Sequence, residues 1–346
     1  MKILSVGPLF AHNRNNTTAH RSDCLSKHAD EYFEELDSCL EQDLWLRIIT
    51  KLSYYGLKFN IPDNTNVNKR LIEAVKSHPF DLVWIDKGNM IYPETLKKIK
   101  SIQPNCLLVH YMIDDFMNPF HKTKQIMNTI PLYDFYIVNR AENVEELKKY
   151  GCKKPVCVFR SYEDTFYYPR PLTEEDKQKL GGDVGFIGRY EKARAKSICY
   201  LADNGLTVRV WGEKKWSVLK NYSPNLIIEG TGLYGEDYCK AIGAFKINLG
   251  FLCKTNRDLH TLRSLEIPAC GGFMLAERTS EHQILFEEGK EADFFSQDEE
   301  LLAKCLYFLE NEEKRKTIAT NGFKRCIVSK YSNKEMMKKV LGIIFK

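Results

Sequence analysis

The sequence predicts an α/β protein built from two parallel-sheet domains, and three observations carry that reading. Short apolar runs alternate with helical patterns of about ten residues throughout the 346-residue chain, as in sheets covered on both faces. A segment rich in proline and charge, YYPRPLTEEDKQK at 167–179, interrupts the alternation, which then starts afresh. The length exceeds one ordinary compact domain and suits two of about 150–180 residues.

In the first half the predicted strands are Lys2–Gly7, Leu82–Asp86, Leu107–Tyr111, Phe135–Asn139 and Val156–Phe159. Helical patterns fall at Ala19–Leu36, Asn68–Ser77, Pro93–Lys100 and Ala141–Tyr150, while Asp37–Asn60 fits neither period. In the second half the strands are Asp183–Ile187, Val208–Trp211, Leu226–Glu229, Lys246–Leu249, Phe273–Ala276 and Ala292–Phe295. Helices are predicted at Lys192–Asn204, Glu236–Ile242, Leu259–Ala269, Glu299–Leu309, Glu313–Ser329 and Lys334–Gly342. The predicted division is a first Rossmann-like domain over 1–170 and a second over 180–330. A helix at 331–346 is positioned to pack back on the first.

Composition narrows the function classes. With 43% hydrophobic and 12% aromatic residues the chain can bury two cores, and no low-complexity run suggests disorder. The formal charge of +5, from 51 basic and 46 acidic residues, suits phosphate-bearing ligands or an anionic membrane surface. No basic block with interleaved aromatics is present, so no nucleic acid partner is expected. The eleven cysteines form no CxxC pair and no zinc-spaced array, which predicts a reducing compartment and no metal site. The opening MKILSVGPLF reads as a buried strand rather than a signal peptide, and no apolar run nears the ~18 residues of a membrane span. A cytoplasmic protein is expected, with peripheral contact at the inner face of the membrane compatible with its charge. Its oligomeric state is not encoded in any readable pattern. Walker, nucleophile-elbow, HExxH and kinase signatures are all missing.

Parallel sheets bind ligands beyond the carboxyl ends of their strands, so candidate residues are sought there. Gly188 and Arg189 follow the first strand of the second half, and Arg194 lies on the next helix. A glycine turn, helix N–H groups and two guanidiniums together suit a diphosphate. Farther on, LRSLEIPACGGFMLAERTSEHQILFEEGK at 262–290 places Arg263 and Glu266 on a helix closed by Gly271-Gly272. An ionised Glu266 can accept two hydrogen bonds from a ribose diol, with Arg263 one turn away. Arg278 ends the following strand. Trp211-Gly212 and Gly230-Thr231-Gly232-Leu233-Tyr234 end two others, with glycines that permit close approach to a ligand. The first half contributes strand-end candidates Asp86, Lys87, Asp114 and Asp115, together with His20, as an acceptor side. Each has a plain structural alternative: helix capping, ion pairing or core packing.

The run RSLEIPACGGFMLAERTSEHQILFEEGKEADFF, behind GFIGRYEKAR, resembles the CgeB-like, spore-maturation type of GT-B glycosyltransferases. The likeness is strongest over 183–331 and looser through VWIDKGNMIYPETLKKIK and LLVHYMIDD. It implies a GT-B fold, two Rossmann-like domains facing each other across a cleft, and a nucleotide-diphosphate sugar as donor. It implies that Glu266 binds the ribose and that Gly188, Arg189, Arg194 and Arg263 hold the diphosphate. The loops with Trp211, Gly232 and Leu233 would hold the base, and Arg278 would line the same pocket. In retaining GT-B enzymes a Glu-x7-Glu pair occupies the positions of Asp258 and Glu266. The Asp in first place makes Asp258 a catalytic candidate beside Asp114 and suggests retention of configuration. The resemblance implies hexosyl transfer to a glycan, polysaccharide or other cell-surface hydroxyl, with no cofactor and no metal. A GT-B sugar epimerase and a non-catalytic nucleotide-sugar or glycan-binding scaffold are the alternatives.

Overall fold

The computed structural model describes residues 1–10, 14–38, 48, 52, 61–119 and 121–346. Most of the unassigned segment 37–60 lies outside the described residues. The chain divides into two compact units. Unit 1 is 1–160 with 255–257 and 333–346, and unit 2 is 161–254 with 258–332. The first boundary thus falls before the proline-rich break, and the last helix belongs to unit 1.

Unit 1 holds a six-stranded sheet in the order β2-β1-β3-β4-β5-β6, every neighbour parallel. The strands are β1 (Lys2–Gly7), β2 (Tyr32–Asp37), β3 (Leu82–Asp86), β4 (Leu107–Met112), β5 (Phe135–Val138) and β6 (Pro155–Cys157). Strand β3, LVWID, is buried at all five positions, as a central parallel strand covered on both faces must be. The described helices are α1 (Thr17–Ser26), α2 (Val67–Ser77), α3 (Pro93–Ile102), α4 (Lys124–Thr129) and α5 (Glu142–Lys149), with α13 (Asn333–Ile344) packed on α1. The helix predicted over Ala19–Leu36 is corrected here, because α1 stops at Ser26 and Tyr32–Asp37 is the edge strand β2. One neighbour and partial burial suffice for an edge strand, so YFEELD needs no apolar run.

Unit 2 holds a second six-stranded parallel sheet, β12-β11-β10-β7-β8-β9. Its strands are β7 (Gly182–Ile187), β8 (Val208–Trp211), β9 (Leu226–Ile228), β10 (Phe245–Gly250), β11 (Met274–Glu277) and β12 (Asp293–Phe295). Its helices are α6 (Glu174–Leu180), α7 (Lys192–Asp203), α8 (Gly235–Ala244), α9 (Arg263–Ala269), α10 (Ser280–Leu285), α11 (Asp298–Glu310) and α12 (Glu312–Val328). Helix α6 corrects the reading of 167–179 as a plain linker. Thr173 and Asp176 form a reciprocal capping box there, turning TEEDKQK into a helix.

Topology locates the ligand-binding ends. In unit 1 the chain reverses its sheet direction between β1 and β3, and in unit 2 between β7 and β10. Each reversal leaves a crevice at the carboxyl ends of the two strands, because the following loops diverge to opposite faces. Unit 2 has the strand order of the dinucleotide-binding fold, read from β9 to β12 as 3-2-1-4-5-6.

Candidate functional site

The crevice of unit 2 opens between Gly188, just past β7, and Phe251, just past β10. A side chain at Gly188 would meet the Phe186 ring at 2.7 Å and the Arg263 guanidinium at 3.3 Å. Glycine therefore keeps the backbone open where Arg263 approaches. The Gly188 N–H donates to Trp211 O at 2.9 Å, and its carbonyl accepts from Trp216 Nε1 at 2.9 Å, which fixes the turn.

Two guanidiniums converge beneath this turn. Arg194 on α7 is 4% exposed and donates to the Leu252 carbonyl at 2.9 Å and to Arg189 O at 3.0 Å, with Glu191 at 2.8 Å. Arg263, at the start of α9, reaches Phe251 O at 3.5 Å through one nitrogen, while its buried Nε has no partner. Both stack near Phe186, at 5.8 and 5.7 Å from the ring centre. Burial, and then the charge of Arg263, lowers the pKa of Arg194. Among the described residues Arg263 makes no ion pair, and Arg189 is exposed. A cavity of about 110 Å³ beside Arg194 is lined by that residue with Ser197, Leu252, Lys254, Glu277 and Gln297.

Glu266 sits in the first turn of α9, where the helix dipole favours a carboxylate. It is 6% exposed, and Tyr238 of α8 donates to its Oε2 at 2.6 Å. Burial first, and the Glu266 charge second, push the Tyr238 and Tyr167 phenols upward in pKa. Helix α9 is anchored at both ends. Gly271, at φ +76°, allows the turn after it, and Ser264 Oγ accepts from Thr261 N at 2.9 Å. Ser264 also donates to His282 Nε2 at 2.7 Å, and His282 Nδ1 donates to Glu277 O at 2.6 Å. The Glu277 carboxylate accepts from Leu252 N at 2.8 Å. One glutamate thus ties α9 to the loop whose carbonyls hold Arg194 and Arg263.

The other donor-side candidates separate from this group. Trp211 is 7% exposed, packs with Leu180, Ala241 and Phe245, and donates to Leu180 O, so it is a core residue without a free stacking face. Leu233 packs on the same cluster and Gly232 lies in the loop beside it, whereas Tyr234 is 59% exposed and is the aromatic that loop presents. Arg278 spends its guanidinium on Glu288 and Glu300, with bonds of 2.6 Å to each, and on Phe294 O and Ser296. That saturation leaves it no donor to offer a ligand. Asp258 is buried beyond the end of β10, its N–H on Cys253 O.

In unit 1 the strand-end acids divide. Asp86 is 2% exposed and locked by Arg21 at 2.6 and 2.9 Å and by Thr18 at 3.2 Å. Arg21 in turn lies 4.3 Å over the Tyr111 ring. Asp115 accepts from two of the three Arg257 nitrogens, at 2.5 and 2.9 Å, and from Asn143. His20 is buried in α1. Asp86 and Asp115 hold the unit together and cannot reach an acceptor without breaking their ion pairs, and His20 is largely withdrawn from solvent. Lys87, at φ +64° after β3, and Asp114 remain partly open to solvent. Burial opposes ionisation of Asp114, but His121, Lys87, Arg160 and Arg140 outweigh it and lower its pKa. Among the described residues no three His, Cys, Asp or Glu side chains converge as a metal centre would require.

Sequence reasoning missed Tyr238, Tyr167, Ser264, His282 and Glu277 as the supports of α9. Their spacing carries no motif, because the contacts join separate elements.

Residues 194–342 match the family model described as glycosyl transferase-like. No curated protein matches the chain by sequence. Among solved structures, Alr3699/HepE of Anabaena, crystallised with UDP, with UDP and glucose and with UDP-glucose, superposes at a TM-score of 0.63, 14% identity and 99% coverage of both chains. Sucrose-phosphate synthase of Thermosynechococcus elongatus gives 0.64 at 11% identity, covering 100% of this chain and 98% of its own. A putative UDP-N-acetylglucosamine 2-epimerase of Listeria monocytogenes gives 0.58 at 12%, covering 99% and 95%. With two six-stranded parallel sheets and these neighbours, the chain has the two-domain α/β fold of the GT-B glycosyltransferases.

Proposed function

We propose that the protein is a CgeB-like glycosyltransferase that moves a hexosyl group from a nucleotide-diphosphate sugar to an acceptor hydroxyl. One observation carries the reading: Arg263 and Arg194 converge at the β7–β10 crevice, held by backbone carbonyls, with Glu266 one turn along α9. Carbonyl partners orient a guanidinium while leaving its charge for a diphosphate, wholly at Arg263 and in part at Arg194, which Glu191 also pairs. As the glycosidic bond breaks, charge grows on the leaving diphosphate. Arg189, Arg194 and Arg263 stabilise it there, which supports a reaction without a metal ion. Glu266 takes the ribose diol and Tyr234 offers a face to the base. Asp258 lies on the donor side, and with Glu266 it supports retention of configuration. Asp114 and Lys87 are the open acceptor-side pair, and a cell-surface glycan or polysaccharide precursor is the acceptor class. The HepE complexes make UDP-glucose the first donor to try.

The test is a thermal-shift screen with UDP-, GDP-, CDP- and dTDP-sugars, repeated with Glu266→Ala. A donor that stabilises the wild type should stabilise the variant far less, while the unliganded variant stays folded. Release of nucleotide diphosphate upon adding an acceptor completes the case. Epimerisation of the sugar without nucleotide release would replace transfer by the epimerase reading. Stabilisation by donor without either reaction would leave a binding scaffold.

A further inference from the structure

A second charged surface lies on unit 1, away from its strand-end candidates in sequence. Helix α13 buries Met336, Met337, Val340, Leu341 and Ile344. At 100° per residue these fall on one face, and α13 packs against α1. The opposite face exposes Lys334, Lys338 and Lys339, continued past the helix end by Phe345, 46% exposed, and Lys346. Among the described residues none of these four lysines forms an ion pair. Some exposed helical lysines elsewhere pair at that spacing, as in Lys148–Glu145, Lys316–Glu312 and Lys69–Glu73, while Lys97 and Lys98 after Glu94 do not. Glu335 stands three and four residues before Lys338 and Lys339 and salt-bridges neither.

We propose that the outer face of α13 docks the protein on an anionic phospholipid bilayer. The apolar face is already committed to unit 1, so docking is adsorption rather than insertion of the helix. Lysine ammonium groups on long stems reach headgroup phosphates, and Phe345 enters the headgroup layer beside them. Each such lysine strengthens attraction to an anionic surface, within a Debye length of it. A nucleic acid fits less well, since the face has no arginine and no series of aromatics for base stacking. The inference does not depend on the transferase reading, and the two are tested by separate measurements.

Co-flotation with phosphatidylglycerol–phosphatidylcholine vesicles is the test, against vesicles of phosphatidylcholine alone. The wild type should float with the anionic vesicles only, and rising salt should release it. The variant carrying Lys334→Glu, Lys338→Glu and Lys339→Glu should bind at least about tenfold more weakly. Phe345→Ser should weaken binding by a smaller factor. These exposed substitutions should leave the melting temperature and any nucleotide-induced shift unchanged, and the wild-type salt dependence stands as a check that needs no variant. Equal binding to both vesicle types, undiminished binding by the triple variant, or tighter binding to duplex DNA than to the anionic vesicles would each overturn the proposal.

Discussion

The two crevices occupy equivalent places in their sheets, yet they treat charge in opposite ways. In unit 1, beyond β1 and β3, Arg21 meets Asp86 in a bidentate pair with both side chains 2% exposed. In unit 2, beyond β7 and β10, Arg263 meets a single carbonyl and keeps a buried N–H unpaired. The first crevice is neutralised by the chain itself. In the second, Glu191 pairs with Arg194 at 2.8 Å, but among the described residues Arg263 is left without a counter-charge. A common topology therefore supplies the position of a site, while the partner given to each arginine decides whether that position binds a ligand or stabilises the fold.

The largest expected effect breaks this contrast from the unit 1 side. Asp86→Ala leaves the buried Arg21 charge uncompensated and should destabilise unit 1 by about 3–5 kcal/mol. Arg263→Ala removes no ion pair, so its effect on stability should stay within about 0.5 kcal/mol. Its nucleotide affinity should fall by tenfold or more, as expected for a charge-assisted contact of about 1.5–3 kcal/mol. Urea unfolding followed by hydrogen exchange resolves the units separately, and nucleotide titration reads the second effect. If Arg263→Ala unfolds unit 2 as Asp86→Ala unfolds unit 1, the two crevices are both structural and the comparison fails.

A milder perturbation acts on both units at once. Each buries a neutral histidine: His110, whose Nε2–H donates to Lys87 O at 3.0 Å, and His282, set between Ser264 and Glu277. Burial brings both pKa values down to about 4. The unfolded chain, with an ordinary value near ~6.5, binds more protons than the folded one between these limits. Stability should therefore be full above about pH 6.5 and fall as the pH drops toward 4, by at most about 3 kcal/mol for each histidine. His110→Gln should flatten the acid dependence of unit 1, and His282→Gln that of unit 2. Hydrogen exchange between pH 4 and 7 distinguishes the two.

What the sequence disclosed follows from the range of each interaction. The alternation of apolar runs and helices predicted both sheets, because a central parallel strand such as LVWID declares itself by five consecutive buried residues. Edge strand β2 escaped since its single neighbour asks little of its residues, and helix α6 escaped since its capping box lies inside an apparent linker. At the candidate site Gly188, Arg194, Arg263 and Glu266 were legible from strand ends and helix spacing. Trp211, Arg278, Asp86 and Asp115 carried the same local signal and turned out to be engaged by Leu180, Glu288 and Glu300, Arg21, and Arg257. Partners 10 to 142 residues away decide those cases, and no local pattern reports them.

The smallest expected effect sharpens the role of Glu266. Tyr238 holds one carboxylate oxygen at 2.6 Å, so Tyr238→Phe loses a hydrogen bond to a buried charge but leaves the carboxylate in α9. The cost to stability should be about 1–2 kcal/mol, and nucleotide affinity should fall less than tenfold because the ribose acceptor persists. Comparing UDP with its 2′,3′-dideoxy analogue isolates that contact. The preference for UDP should survive in Tyr238→Phe and vanish in Glu266→Ala. A preference lost equally in both variants would make Tyr238 itself the ribose ligand. The carboxylate of Glu266 would then serve only to orient the phenol, as Asp86 serves Arg21 in the other unit.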